Sequence, residues 1–268
     1  MSDAPVGIFD SGIGGLTLAN AITDALPNEN LFYFGDTAHL PYGDKSTAAI
    51  QAYSVKICNV LLAQHCKVIV IACYSASSAA YDLVKEYVGS RALVVNVIDP
   101  VVAHINTHFD HVKMGLIGTR RTVASNVYKA KVDALGKQIN LSSLATPLLA
   151  PMIEEGFYNN KISRDVIAQY LEHPTLDNIT GLVLACTHYP LVKQQISEYY
   201  EGKVDVIDPS EIVAQYLKEK LHTQSMSRTS ETPPAHRFYV SDVTTSFRNS
   251  TRLFFGEKVD LQHYKLWE

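Results

Sequence analysis

This chain has no concentrated positive charge. Its 23 Lys and Arg are outnumbered by 27 Asp and Glu, giving a formal net charge of -4, and the basic residues form no run. Phosphate backbones are held by clustered Lys and Arg, so nucleic acid is excluded as the main partner. Long apolar runs are missing too. None approaches the roughly 20 residues that a membrane-spanning helix needs, so no membrane partner is expected. The opening "MSDAPVGIFD" has neither a basic cluster nor a long apolar centre, and no signal peptide is expected. Cysteine is scarce: Cys58, Cys66, Cys73 and Cys186 are the four in 268 residues. They make no disulfide framework, and a reducing cytoplasm is the expected setting.

Cofactor signatures are also lacking. "FDSGIGG" (9–15) has the spacing Gly12-x-Gly14-Gly15, without the third glycine of a dinucleotide fingerprint. No Gly-Lys-Ser/Thr follows it, so neither NAD nor ATP is expected. Cys186-x-His188 has no second ligand pair at zinc spacing. His104, His108 and His111 fall at i, i+4 and i+7 and are expected to share a solvated helix face, because no acidic or thiol ligand accompanies them. The expectation is therefore no metal and no cofactor.

What is present is a globular α/β pattern. Hydrophobic residues make up 47% and charged residues 19%, enough for a sizeable core in one large domain or two ordinary ones. Apolar segments at 6–10, 30–36, 67–73 and 92–99 read as strands, and 16–26, 47–63 and 76–88 read as helices. Such alternation means a mostly parallel sheet flanked by helices, with function at the carboxyl ends of the strands. The polar stretch 223–236 is expected to be a surface loop. Residues 237–242 read as a late strand returning to the first sheet.

The pattern also repeats. "VGIFDSG" from Val6 resembles "MGLIGTR" from Met114, and "VIVIACYS" resembles "GLVLACTH". Gly7 maps onto Gly115, an offset of 108, and Cys73 onto Cys186, an offset of 113. This points to an internal duplication. We divide the chain into a first α/β domain, residues 1–98 plus 208–268, and a second, residues 99–207. The two halves are expected to face each other, each presenting one cysteine at a shared cleft.

That pairing bears on the chemistry. A lone Cys-His could serve a thiol hydrolase, but this leaves the equivalent cysteine of the other half unexplained. Two opposed thiols suit racemisation, where one removes a proton from one face of a carbon and the other returns one to the opposite face. Asp10 and His188 are placed to tune the thiols, although Asp10 could equally be a helix cap. The Gly-rich turn leaves backbone N–H groups that could hold a small carboxylate. Cys58 and Cys66 read as packing residues.

The segments "GIFDSGIGGLT", "YFGDTAHLPYG", "VIVIAC", "LIGTRRTVASNVY", "PMIEEG" and "LACTHYPL" resemble the glutamate racemase family, cofactor-independent enzymes of the aspartate/glutamate racemase superfamily. The resemblance runs nearly end to end. It implies two α/β domains in pseudo-twofold relation with the site between them, and D-glutamate made for peptidoglycan. It implies that Cys73 acts on the D-isomer and Cys186 on the L-isomer, assisted by Asp10 and His188. Glu154 matches a further acidic residue, with Glu155 its close neighbour. Asp10, Ser11, Pro41, Tyr42, Gly43, Tyr74, Ser75, Thr187 and His188 are the implied substrate contacts, and a homodimer is common in the family.

One departure stands out. The family has Cys-Asn-Thr where this chain has Cys73-Tyr74-Ser75. Ser75 keeps a hydroxyl, but a phenol cannot replace an amide's paired donor and acceptor. Tyr74 would crowd glutamate if it points into the cleft, and removes a polar contact if it turns away. The alternatives are a racemase for another amino acid, or a glutamate-binding or regulatory homologue with impaired catalysis.

Overall fold

The computed structural model describes residues 3–268, the side chains at 246 and 249 aside, so the first two residues of the expected first domain lie outside it. The strands are β1 (Val6–Asp10), β2 (Leu31–Gly35), β3 (Val68–Ile71), β4 (Leu93–Asn96), β5 (Lys113–Gly118), β6 (Asn140–Ala145), β7 (Gly181–Ala185), β8 (Asp205–Ile207), β9 (His236–Val240) and β10 (Leu261–His263). The helices are α1 (Leu16–Ala25), α2 (Thr47–Ala63), α3 (Tyr74–Val88), α4 (Asp99–His108), α5 (Arg120–Ala124), α6 (Val127–Asp133), α7 (Leu149–Glu154), α8 (Lys161–Leu171), α9 (Lys193–Tyr199), α10 (Pro209–Thr223) and α11 (Thr245–Phe255).

These strands form two sheets. One has six strands in the order β10-β9-β2-β1-β3-β4, and the other four in the order β6-β5-β7-β8. The strand pairs in both sheets are parallel. Every residue of β1, β2, β3 and β7 is buried, as strands covered on both faces by helices must be. The sequence repeat is a repeat of topology: β2-β1-β3-β4 and β6-β5-β7-β8 run in the same order. Gly7 pairs with Ile69 and Gly115 with Leu182, so the register repeats with the strands. The late strand β9 returns to the first sheet and pairs with β2.

Several boundaries differ from expectation for local reasons. The strand expected over 67–73 stops at Ile71, and helix α3 begins at Tyr74 rather than 76 because Cys73 caps it. The strand expected over 92–99 stops at Asn96, whose side-chain oxygen accepts from the amides of Ile98 and Asp99 and turns the chain into α4. Helix α4 ends at His108, so His111 does not share a face with His104 and His108. It lies in a turn at φ 54°. The loop expected over 223–236 is shorter, since Thr223 ends α10 and His236 begins β9. That loop is anchored through nearly buried Arg228, whose amide donates to Glu29 at 2.7 Å. Glu29 in turn pairs with buried Lys67 at 2.6 Å. Among the described residues no helix is long and apolar enough to cross a membrane, and no three His, Cys, Asp or Glu group together as a metal site.

Candidate active site

The strand ends β1 and β7 meet at a contact that admits no side chain. A Cβ on Gly14 would lie 2.5 Å from His188 Cε1 and 2.6 Å from Thr187 Oγ1. Only glycine lets the turn after β1 pass beneath the turn after β7. The Thr17 hydroxyl, one step into α1, ties the two together, reaching the carbonyls of Thr187 and Gly14 at 2.9 Å each.

The same turn does hold a carboxylate, but it is the protein's own. Asp10 ends β1, and its Oδ2 accepts from the amides of Gly12 at 3.1 Å and Gly15 at 2.9 Å. Two of the turn's amides, those of Gly12 and Gly15, are therefore occupied by Asp10. Asp10 thus holds the turn leading into α1, while its other oxygen, Oδ1, is buried with no hydrogen-bond partner. Burial pushes its carboxyl above the usual carboxylate range, against the opposing pull of the Gly15 amide and the His188 charge.

The two thiols differ in their partners. Cys73 caps α3, accepting from the Ala76 amide at 3.4 Å, and lies 3.6 Å from Ser11 Oγ. Burial, then the Asp10 charge, push its thiol up to about 12. Cys186 follows β7, and its sulfur lies 3.7 Å from His188 Nδ1. The other imidazole nitrogen, Nε2, meets Glu154 Oε1 at 2.8 Å. Burial works against a charged His188, but the hydrogen bonds to Cys186 and Glu154 more than offset it and hold its proton well above the ordinary histidine range. Of the two neighbouring acids, Glu154 is therefore the one joined to the site, while Glu155 is exposed. Cys58 and Cys66 are buried among apolar residues of the first sheet's core.

Both thiols open onto one cavity of about 240 Å³. Its wall includes Ser11, Pro41, Tyr42, Gly43, Tyr74, Ser75, Glu154, Thr187 and His188, which are the expected contacts with the exception of Asp10, fully buried behind the wall. Ser75 Oγ lies 2.9 Å from Thr119 Oγ1, joining the halves across the cavity. Thr119 was not among the expected site residues. The repeat could have found it, since an offset of 108 carries Ser11 onto Thr119. Ala150 and Pro151, also on the wall, carried no such signal.

Tyr74 is on the cavity wall and also belongs to the core. That core is shared by both sheets, and Tyr74 borders a small void in it with Thr17, Val97, Pro209 and Val213. Burial first, then the neighbouring hydroxyl of Tyr128 and the charge of Asp208, raise its phenol well above the ordinary range. The side chain thus contributes to the packing around α1, α3 and α10 as well as to the cavity wall.

The profile of a family described as Asp/Glu/hydantoin racemase matches residues 17–217. The glutamate racemase of Syntrophus aciditrophicus is 37% identical over 259 residues, covering 95% of this chain and 94% of that protein. Among solved structures, the glutamate racemase of Francisella tularensis subsp. tularensis in complex with D-glutamate is similar at a TM-score of 0.92 and 35% identity, covering 100% of this chain and 99% of that one. A glutamate racemase isoform from Bacillus anthracis is similar at a TM-score of 0.93 and 28% identity, covering 99% of both chains.

Two outcomes follow from this geometry. Folded His188 keeps its proton to higher pH than the unfolded chain does. Its pairing therefore stabilises the fold fully below about pH 6.5, and the contribution fades as pH rises through the elevated native value. Glu154→Gln should bring the imidazole titration, followed by NMR, down toward the ordinary range; an unchanged titration contradicts the pairing. Tyr74→Phe should leave stability near that of the parent. Tyr74→Asn empties the ring's place in the core and should cost about 3 kcal/mol in denaturant unfolding. An Asn variant as stable as the parent contradicts that placement.

Proposed function

The chain belongs to the Asp/Glu/hydantoin racemase family and is an isomerase, and from that premise we propose that it interconverts L- and D-glutamate with two thiols, one of Cys73 and Cys186 removing the α-proton and the other delivering its own proton to the opposite face. The observation that carries this reading is that one small cavity receives a thiol from each half, and each thiol has its own acid–base neighbour. Binding alone requires no such pair, which weighs against a regulatory homologue without turnover.

The proton inventory suits the L-isomer first. Cys186, beside a positively charged imidazole, acts as the base and removes the α-proton. Cys73, which holds its proton up to about 12, delivers that proton to the opposite face of the carbanion. The enzyme is left with the sulfur charges exchanged, which is the form that accepts the D-isomer. Asp10 near Cys73, and His188 with Glu154 near Cys186, return the protons to their starting places.

Among the described residues no Lys or Arg lines the cavity, so the substrate carboxylates depend on backbone and hydroxyl donors. The α-carboxylate fits the start of α3, where unsatisfied amides and the helix dipole favour an anion. Ser11, Ser75 and Thr119 supply hydroxyls. Tyr74 belongs to the core as well as to the cavity wall, and the missing amide of the family's Asn is one lost contact. The domain division at 98/99 and 207/208 places one thiol in each unit. Synthesis of D-glutamate for peptidoglycan, in the cytoplasm and by a homodimer, completes the reading.

The test is racemisation of L- and D-glutamate, with aspartate alongside, by the parent, Cys73→Ser and Cys186→Ser. The parent should turn over glutamate, and each Ser variant should lose on the order of 10³-fold in rate with its circular dichroism unchanged. Turnover surviving in either variant overturns the two-thiol reading. Turnover of aspartate in place of glutamate moves the assignment to another amino acid.

A further inference from the structure

Asp36 is a fully buried carboxylate that does not line the cavity, yet four side chains converge on it. Its Oδ1 accepts from Ser241 Oγ and from Trp267 Nε1, each at 2.7 Å. Its Oδ2 accepts from the Tyr42 hydroxyl at 2.7 Å and from His39 Nδ1 at 3.0 Å. A carboxylate has about four lone-pair sites, and here each has a partner.

The partners come from separate parts of the chain, and Trp267 arrives from furthest away in sequence. The segment after β10 is fixed before it reaches the carboxylate. Tyr264 donates its amide to the Val240 carbonyl at 2.9 Å and sets its ring edge-on against Phe34 and Tyr239. Leu266 packs on the same core. The Trp267 indole then meets the His39 ring edge-on at 4.4 Å and carries Lys56 Nζ 4.4 Å above its own face.

The Tyr42 side of this cluster faces the site. Tyr42 and Gly43 line the cavity and belong to a 3-10 turn, Tyr42–Asp44. The second half grips that turn from outside: Arg121 donates twice to the Lys45 carbonyl, at 3.0 and 2.7 Å. A Cβ on Gly43 would lie 2.9 Å from Thr119 Cβ. The turn is thus clamped between α5 on one side and Asp36 on the other.

We propose that Trp267 is a positioning residue: acting through Asp36 and the Tyr42 hydroxyl, it sets the Tyr42–Gly43 wall of the cavity for substrate binding. Without the indole N–H, Oδ1 of a buried carboxylate keeps the Ser241 hydroxyl and a longer contact, at 3.2 Å, to His39 Nδ1, which it shares with Oδ2. The carboxylate is then free to turn toward its remaining partners, and Tyr42 loses a fixed acceptor. Neither thiol is touched, so the loss falls on substrate and transition state alike and shows in KM. The clamp stands on geometry alone, while its kinetic consequence rests on the racemase reading.

Two variants test it: Trp267→Phe, which keeps an aromatic ring but no N–H, and Trp267→Ala. Amide hydrogen exchange over residues 39–46 needs no substrate. It includes the Lys45 amide, bonded to the Tyr42 carbonyl at 3.1 Å. Exchange there should quicken about tenfold in both variants, the scale of one charge-assisted hydrogen bond, with β1 and β3 unchanged. With L-glutamate, KM should rise about tenfold while kcat stays within about threefold. Unchanged exchange overturns the clamp. An unchanged KM, or a kcat that falls together with the melting temperature, overturns the positioning role. If the parent itself fails to turn over glutamate, the racemase reading fails, and the exchange result decides the clamp by itself.

Discussion

A methyl group's absence brings the two halves together. Gly14 passes so close beneath Thr187 and His188 that a Cβ would lie within 2.6 Å of both side chains. Thr17 locks the approach by bonding the Thr187 carbonyl. The other features of the site depend on this crossing. It brings the end of β1, with Asp10, within electrostatic reach of His188. It also closes a cavity small enough for one amino acid between two sheets that share no strand. The glycines of the turn therefore serve close approach and an internal carboxylate.

Duplication supplied the frame, and divergence supplied the chemistry. The four strands of the second sheet repeat the order of four in the first. At equivalent strand ends the repeat keeps a cysteine in each half and a hydroxyl in each, Ser11 and Thr119. Asp10, by contrast, maps onto Gly118. The second half has no carboxylate at that point; beside its cysteine stands His188, held in turn by Glu154 on α7. Two half-sites with the same backbone thus hold their protons differently. Such asymmetry suits a reaction in which one thiol starts as a donor and the other as an acceptor.

Much of this was legible in sequence because it is periodic. Apolar runs bounded by turns marked the strands, and the offsets of 108 and 113 marked the repeat before any pairing was known. The errors lie where a side chain overrides the local pattern. Asn96 ends β4 early by bonding two amides, and Cys73 starts α3 early by capping it. Tyr74 was read with two directions open, into the cleft or away from it, and it lies both on the cavity wall and in the core. Its place in that core depends on residues of α1 and α10, which no local signal carries. Asp36 lay within a quoted motif, but its role depends on Trp267, 231 residues away.

The central claim is that two groups, one on each face of the α-carbon, handle the proton. It is tested most directly by converting L-glutamate in heavy water and reading isotope content in both isomers before equilibrium. Transfer between two bases predicts D-glutamate carrying solvent deuterium at the α-carbon from its first appearance, while the remaining L-glutamate still carries hydrogen. Product that retains the substrate's own hydrogen, or deuterium entering both isomers at equal rates from the outset, would contradict it and point to a single base.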